Sequence, residues 1–119
     1  MSTLLKNEVV KGDALGVSRI AGIQAAKLTS VLIPLCHNIP LSAVHIEIRL
    51  FEDRNEVRIR SLVRTESKTG VEMEALTAVS VAALALYDMC KSITHEMTIT
   101  GIRLLGKAGG KSTFGELVL

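Results

Sequence analysis

Four groups of residues in this 119-residue chain have types and spacings that could do chemistry. Asp88 and Lys91 stand three apart in Tyr87-Asp88-Met89-Cys90-Lys91, so on a helix they share one face and can pair. One reading is a helix-end ion pair, worth about 0.3–0.5 kcal/mol. The other is that partial burial moves a lysine ammonium toward neutral pH for proton transfer, with the aspartate orienting it. Glu72 and Glu74 fall in the first turn of the same predicted helix, where the helix dipole favours acids, so a structural role accounts for them on position alone. Cys36-His37, between Pro34 and Pro40, offers a ligand or a general acid. No further metal ligand lies at usable spacing, so no metal site is expected there. Gly106-Lys107-Ala108-Gly109-Gly110-Lys111-Ser112 looks like a phosphate-binding loop, but three residues separate Gly106 from Gly110-Lys111 where that loop needs four. What remains is a basic, glycine-rich segment able to touch an anion. His45 and His95 belong to no motif and are expected to face solvent.

Distance constrains how these groups can cooperate. Glu74 and Asp88 are 14 residues apart, which on a helix is about 21 Å at ~1.5 Å per residue. Side chains cannot close that gap around one small substrate. If both ends serve one site, different chains must supply them.

The elements that must position these groups follow from periodicity. Residues 12–27 read as a helix, with Leu15, Ile20, Ile23 and Ala26 near 3.6-residue spacing and Gly16 and Gly22 permitting close backbone approach. Thr29-Ser30 looks like a cap, with a short helical turn before Pro34. Residues 44–51 and 57–64 alternate apolar and polar side chains about a turn at Asp53-Arg54-Asn55-Glu56, which predicts a β-hairpin. Residues 71–94 form the long helix, and residues 97–105 read as a third strand with a bulge at Gly101. The order is αββαβ, an α+β fold with an antiparallel sheet and helices packed on one face. The long helix is apolar on every side, and a three-stranded sheet covers one face only. Its seam of Ala75, Ala78, Ala82, Ala85 and Met89 is therefore expected to meet another subunit.

Composition excludes several classes. Fourteen Lys and Arg stand against twelve Asp and Glu, and a net charge of +2 predicts no nucleic-acid footprint. Aromatics are 3% of the chain, too few for base-stacking platforms. Cys36 and Cys90 are far apart and fit a reducing compartment rather than a disulfide scaffold. Residues 1–12 mix Lys6, Glu8 and Lys11 with apolar residues, unlike a signal peptide. The uncharged run at 75–87 is shorter than the ~18 residues of a membrane span. A soluble, cytoplasmic, single-domain protein covering 1–119 is expected, with no membrane partner.

Six stretches, KGDAL (11–15), RIAGIQAAK (19–27), LIPLCH (32–37), TGVEMEALTAVSVAAL (69–84), YDMCK (87–91) and RLLGKAGGKS (103–112), resemble the MoaC family of cyclic pyranopterin monophosphate synthases. That resemblance implies a ferredoxin-like subunit, a homohexamer built as a trimer of dimers, and active sites between subunits. It also implies a lyase reaction of molybdenum cofactor biosynthesis. In it, 3′,8-cyclo-7,8-dihydroguanosine 5′-triphosphate, a nucleotide-derived small molecule, becomes cyclic pyranopterin monophosphate with release of pyrophosphate, without metal or redox cofactor. By matching motif, Asp88, Lys91 and Lys11 are the implied catalytic residues. Leu35, Cys36, His37, Glu72, Met73 and Glu74 are implied substrate contacts, and Lys27, Lys107 and Lys111 implied triphosphate contacts. Family members carry a longer segment before the KGD motif, with a first strand and a basic loop, so this chain is expected to lack that strand and its substrate contacts. The alternative is a non-catalytic member that binds a purine or pterin phosphate or serves as an assembly partner.

Overall fold

A computed structural model describes residues 1–7, 9, 11–108 and 114–115, the last two as backbone. After a short helix α1 (Ser2–Leu5) come α2 (Ala14–Lys27), the single turn α3 (Thr29–Leu32), strand β1 (Ala43–Phe51), a 3-10 turn (Glu52–Arg54), strand β2 (Glu56–Arg64), α4 (Glu72–Cys90) and the short strands β3 (Gly106–Lys107) and β4 (Phe114–Gly115). β1 and β2 form an antiparallel hairpin in register from Ala43↔Arg64 to Phe51↔Glu56. Asn55 closes its turn at φ +48, in the left-handed region that Asn tolerates better than most residues.

The α+β expectation holds. Val44, Ile46, Ile48, Ile59 and Val63 put one face of the hairpin on α2 and α4, while His45, Arg49, Arg58 and Arg64 are exposed. The third strand does not form. Residues 97–105 run without a ladder, and the next pairing joins β3 to β4 in a separate two-stranded sheet. Met97 still packs against the core of Val9, Ala14, Leu86, Met89 and Cys90. Ile99, Ile102 and Leu105 of the same segment are exposed, so its apolar residues mark neither a paired strand nor a continuous buried face. Gly101 has φ +69 there, but with no strand there is no bulge.

The alanine seam is covered by the chain itself, which corrects the expectation of a second subunit at that face. Ala78 and Ala82 are fully buried against α2. At Gly22 a Cβ would lie 3.0 Å from the Ala78 carbonyl oxygen, and 3.1 Å from both Ala82 Cβ and Ile46 Cδ1. Four residues earlier, buried Ser18 donates its hydroxyl to the Ala82 carbonyl at 2.6 Å. Small residues do permit close helix contact here, but α2 is the partner. The predicted stripe of α2 holds at Leu15, Ile23 and Ala26, which pack in the core, and is corrected at Ile20. Ala14, Ser18, Gly22, Ala25 and Ala26 face inward, whereas Ile20 is 59% exposed. When two backbones approach this closely, small side chains fill the interface and large ones are excluded. Ala14 lies with Leu86 and Cys90, and Ala26 with Ala78, so α2 and α4 run antiparallel.

Element ends follow local hydrogen bonding. Asp13 caps α2 by accepting from Gly16 N–H at 3.1 Å, which is the use made of Gly16. Thr29 is no cap: its hydroxyl donates back to the Ala25 and Ala26 carbonyls, both at 3.0 Å. α4 ends at Cys90 with Lys91 as its C-cap, four residues short of the predicted Thr94. By length and composition α4 is apolar enough to cross a bilayer, a test the expected uncharged run did not meet. A core helix passes the same test, and α4 packs against both α2 and the hairpin.

The α2–α4 contact predicts that Gly22→Val lowers stability by about 1–3 kcal/mol, since added methyl groups would meet backbone and packed side chains. Urea unfolding measures this. A loss below about 0.5 kcal/mol would show that the helices can separate without cost.

Candidate functional site

The antiparallel pairing of α2 and α4 gathers the candidate residues at two ends of the molecule. At one end the start of α2 meets the end of α4. Lys11 Nζ donates to Asp88 Oδ2 at 3.0 Å, and Lys91 Nζ lies 2.9 Å from Asp88 Oδ1. One carboxylate thus holds two ammonium groups, and the cluster carries a net positive charge. The residues around Lys11 explain its placement. Gly12, at φ +127, turns the chain through a conformation that disfavours side chains, and Asp13 then starts α2. The Tyr87-Asp88-Met89-Cys90-Lys91 segment divides its labour in a similar way. Met89 and Cys90 are buried, Tyr87 O–H donates to the His95 carbonyl at 3.1 Å, and Asp88 and Lys91 project outward.

All three side chains of this cluster are about half exposed. Within a single chain the burial invoked for tuning Lys91 is therefore incomplete. The hydrogen bond from Lys91, then that from Lys11, and their charges hold the Asp88 carboxyl below the usual carboxylate range. Asp88 therefore stays ionised at neutral pH and keeps both lysines in place.

At the other end the start of α4 meets the 33–39 loop. Ile33, Leu35, Cys36, His37, Ile39, Thr69, Gly70, Glu72, Met73 and Glu74 line a cavity of about 330 Å³. The structure therefore brings together all six residues of the two motifs implied to bind substrate. Leu35 is 97% exposed. Glu74 is 3% exposed, and among the described residues no side chain pairs with its carboxylate. Neither of its oxygens is among the fully buried atoms without a partner, so the carboxylate opens onto the cavity and can accept from a donor that arrives with a ligand. Loss of hydration, then the Glu74 charge, pushes the Cys36 thiol up, so it is a neutral wall of this cavity rather than a nucleophile. His37 is exposed at the rim, and His45 and His95 are exposed as expected.

The lysines implied to contact phosphate divide three ways. Lys107 lies 3.0 Å from Glu72 Oε1 and lines a second, larger cavity of about 500 Å³. Lys27 is exposed in the last turn of α2, at the Glu74 end but not on the wall of either cavity. Lys111 lies outside the described residues. Arg64, outside the six family-like stretches, and Arg103, which opens RLLGKAGGKS, are not among the implied site residues, and only the course of the chain brings them to the larger cavity together.

A family model described as the MoaC family matches residues 1–110. The chain belongs to the MoaC family. It is 57% identical over 108 residues to molybdenum cofactor biosynthesis protein 1 of Drosophila melanogaster, covering 91% of this chain and 19% of that protein. It is also 53% identical over 112 residues to a cyclic pyranopterin monophosphate synthase of Pelotomaculum thermopropionicum, covering 94% of this chain and 66% of that enzyme. The chain thus spans about a fifth and about two thirds of the lengths of these relatives.

The Lys11–Asp88–Lys91 cluster makes a titration prediction. Because the folded-state pKa of Asp88 is depressed, its contribution to stability is present above the unfolded value and is lost as pH falls through the folded value. Lys91→Ala should raise the Asp88 carboxyl midpoint toward that of a free carboxylate, and Lys11→Ala should raise it less. Carboxyl-carbon NMR titration reads both. A midpoint unmoved by either substitution would mean that the two contacts do not persist in solution.

Proposed function

We propose that this chain is the working subunit of a cyclic pyranopterin monophosphate synthase of molybdenum cofactor biosynthesis, cytoplasmic and homo-oligomeric. Its substrate is 3′,8-cyclo-7,8-dihydroguanosine 5′-triphosphate, and its products are cyclic pyranopterin monophosphate and pyrophosphate. The observation that carries this is the separation of two incomplete half-sites by the length of α4. One end offers a carboxylate with two ammonium groups, the other a cavity onto which the Glu74 carboxylate opens without a side-chain partner among the described residues. Family membership and the name of the bacterial relative support the reaction.

The two ends suit different parts of such a substrate. A guanine-derived ring presents adjacent N–H donors, and Glu74 in its small cavity is an acceptor for them. His37 stands at the rim of that cavity, where the ring would meet the reacting sugar. Closing a cyclic phosphate and expelling pyrophosphate takes a proton from the attacking hydroxyl and builds negative charge on phosphate oxygens. Lys11 and Lys91, fixed by Asp88, are placed to move that proton and to balance that charge.

Since the ends lie about 21 Å apart along the helix, a complete site needs the Asp88 end of one chain against the Glu74 end of another. The exposed Leu35, Val31 and Leu84 give a second chain apolar surface to cover. A hexamer arranged as a trimer of dimers supplies such junctions by symmetry.

Pyrophosphate release from the cyclised guanosine triphosphate tests the proposal. Asp88→Asn and Lys91→Ala should each reduce turnover by at least ~10²-fold, the usual scale for a lost acid–base group, with oligomer size unchanged by sedimentation. Near-normal turnover by Lys91→Ala would overturn the catalytic assignment. Ligand binding by the wild type without pyrophosphate release would indicate a non-catalytic member.

A further inference from the structure

The inner row of the β1–β2 hairpin is apolar except toward the end of β2. Val44, Ile46, Ile48, Val57, Ile59 and Val63 pack on the core. Ser61, opposite Ile46, interrupts that row, and Thr65 continues the same alternation one residue beyond the ladder. A hydroxyl gains nothing from burial in such a row, so the group it bonds to decides its use.

Each of the two hydroxyls reaches out of the hairpin to a backbone carbonyl of a different segment. Ser61 Oγ donates to the Ala75 carbonyl of α4 at 2.6 Å. Thr65 Oγ1 donates to the Pro40 carbonyl at 2.6 Å and accepts from Ser67 N–H at 3.1 Å, which orients it. Both outward contacts are at the short end for O–H···O bonds. The two carbonyls stand next in sequence to residues that line the small cavity, since Ala75 follows Glu74 and Pro40 follows Ile39. Glu74 belongs to one wall, the first turn of α4, and Ile39 to the other, the loop that carries Cys36 and His37. Neither wall is held firmly by its own structure. No side chain caps the first turn of α4, and residues 33–39 form no helix or strand.

We infer that Ser61 and Thr65 are positioning residues that set the separation of the two walls of the small cavity, and with it the fit of the ligand that Glu74 holds. One strand serves as a common frame, tying the helix start and the loop to the same ladder. Without the hydroxyls either wall can shift while the fold persists. The Ala75 carbonyl keeps its place in the α4 ladder, and Ser42 N–H still donates to the Arg64 carbonyl at 2.8 Å. The fraction of chains with correctly spaced walls then falls, and apparent affinity falls by the same factor. That the ligand is the synthase substrate rests on the proposed function; the tying of the walls does not.

The Ser61→Ala/Thr65→Val double variant removes both hydroxyls with little change of shape. Thiol labelling with a small aromatic disulfide reads the walls without turnover, because Cys36 lines the small cavity whereas Cys90 is 3% exposed in the core. Cys36 labelling should speed up and substrate KM should rise, each on the order of tenfold, within the range of two neutral hydrogen bonds. The kcat should change less than twofold, and Cys90 labelling should not move. Ser61→Thr and Thr65→Ser keep the hydroxyls and should behave as wild type in both measurements. Cys36 labelling within twofold of wild type in the double variant would overturn the inference. Equal acceleration at Cys90 would do the same, since it would mean a general loss of stability. Faster Cys36 labelling with an unchanged KM would also overturn it, because the walls would then not govern binding. A wild type that releases no pyrophosphate would reject the synthase, and Cys36 labelling would then decide the role of the two hydroxyls by itself.

Discussion

The close antiparallel contact of α2 with α4 is the constraint on which the rest of the structure depends. Gly22, Ser18, Ala78 and Ala82 let the two backbones approach until the Ser18 hydroxyl reaches a carbonyl of the neighbouring helix. That contact fixes which ends of the helices meet. Because the helices are antiparallel, the KGD segment that starts α2 lies beside the end of α4, and the loop that follows α2 and α3 lies beside its start. Shifting α2 by one turn along α4 would move Lys11 about 5.4 Å from Asp88. It would also draw the 33–39 loop away from Glu74. A packing detail in the middle of the protein thus sets the geometry at both ends.

The two ends differ in charge and in exposure, and each difference has a physical consequence. At the Asp88 end an ionised carboxylate holds two cations in partly exposed positions, so the cluster can reorganise around an incoming anion. At the Glu74 end a residue of low exposure opens its carboxylate onto the small cavity beside Met73, Cys36 and the loop. A low-dielectric wall strengthens whatever hydrogen bond Glu74 accepts. One end is therefore suited to mobile charge and proton traffic, the other to fixed recognition. The proposed reaction must both hold a ring and close a cyclic phosphate, and for that neither end suffices alone.

Much of this was legible in the sequence, and the failures share a cause. The hairpin alternation, the long helix and the i,i+3 pairing of Asp88 with Lys91 depend on local periodicity, and all three appear as expected. The motifs grouped by family resemblance, Leu35-Cys36-His37 with Glu72-Met73-Glu74, do meet around one cavity. What misled was the assignment of partners to surfaces. The alanine seam correctly signalled a close helix contact, but composition could not show that α2 carried the complementary small residues on its inner stripe. The segment at 97–105 has strand-like alternation, yet pairing needs a free neighbouring edge in register, which no local pattern encodes. The third contact on Asp88, from Lys11, and the convergence of Arg64 with Arg103 are long-range and became visible only in the folded chain.

The central claim is that a working site joins the Asp88 end of one chain to the Glu74 end of another. Mixing two singly inactive variants tests it most directly. Asp88→Asn and Glu74→Gln chains, each unable to release pyrophosphate alone, are combined, dissociated and reassembled in equal amounts. If the ends come from different chains, mixed oligomers contain some sites with neither substitution, and turnover should recover to about one quarter of wild type for random assembly. No recovery, in mixtures shown by native mass spectrometry to contain both chains, would place the whole site within a single chain and contradict the account.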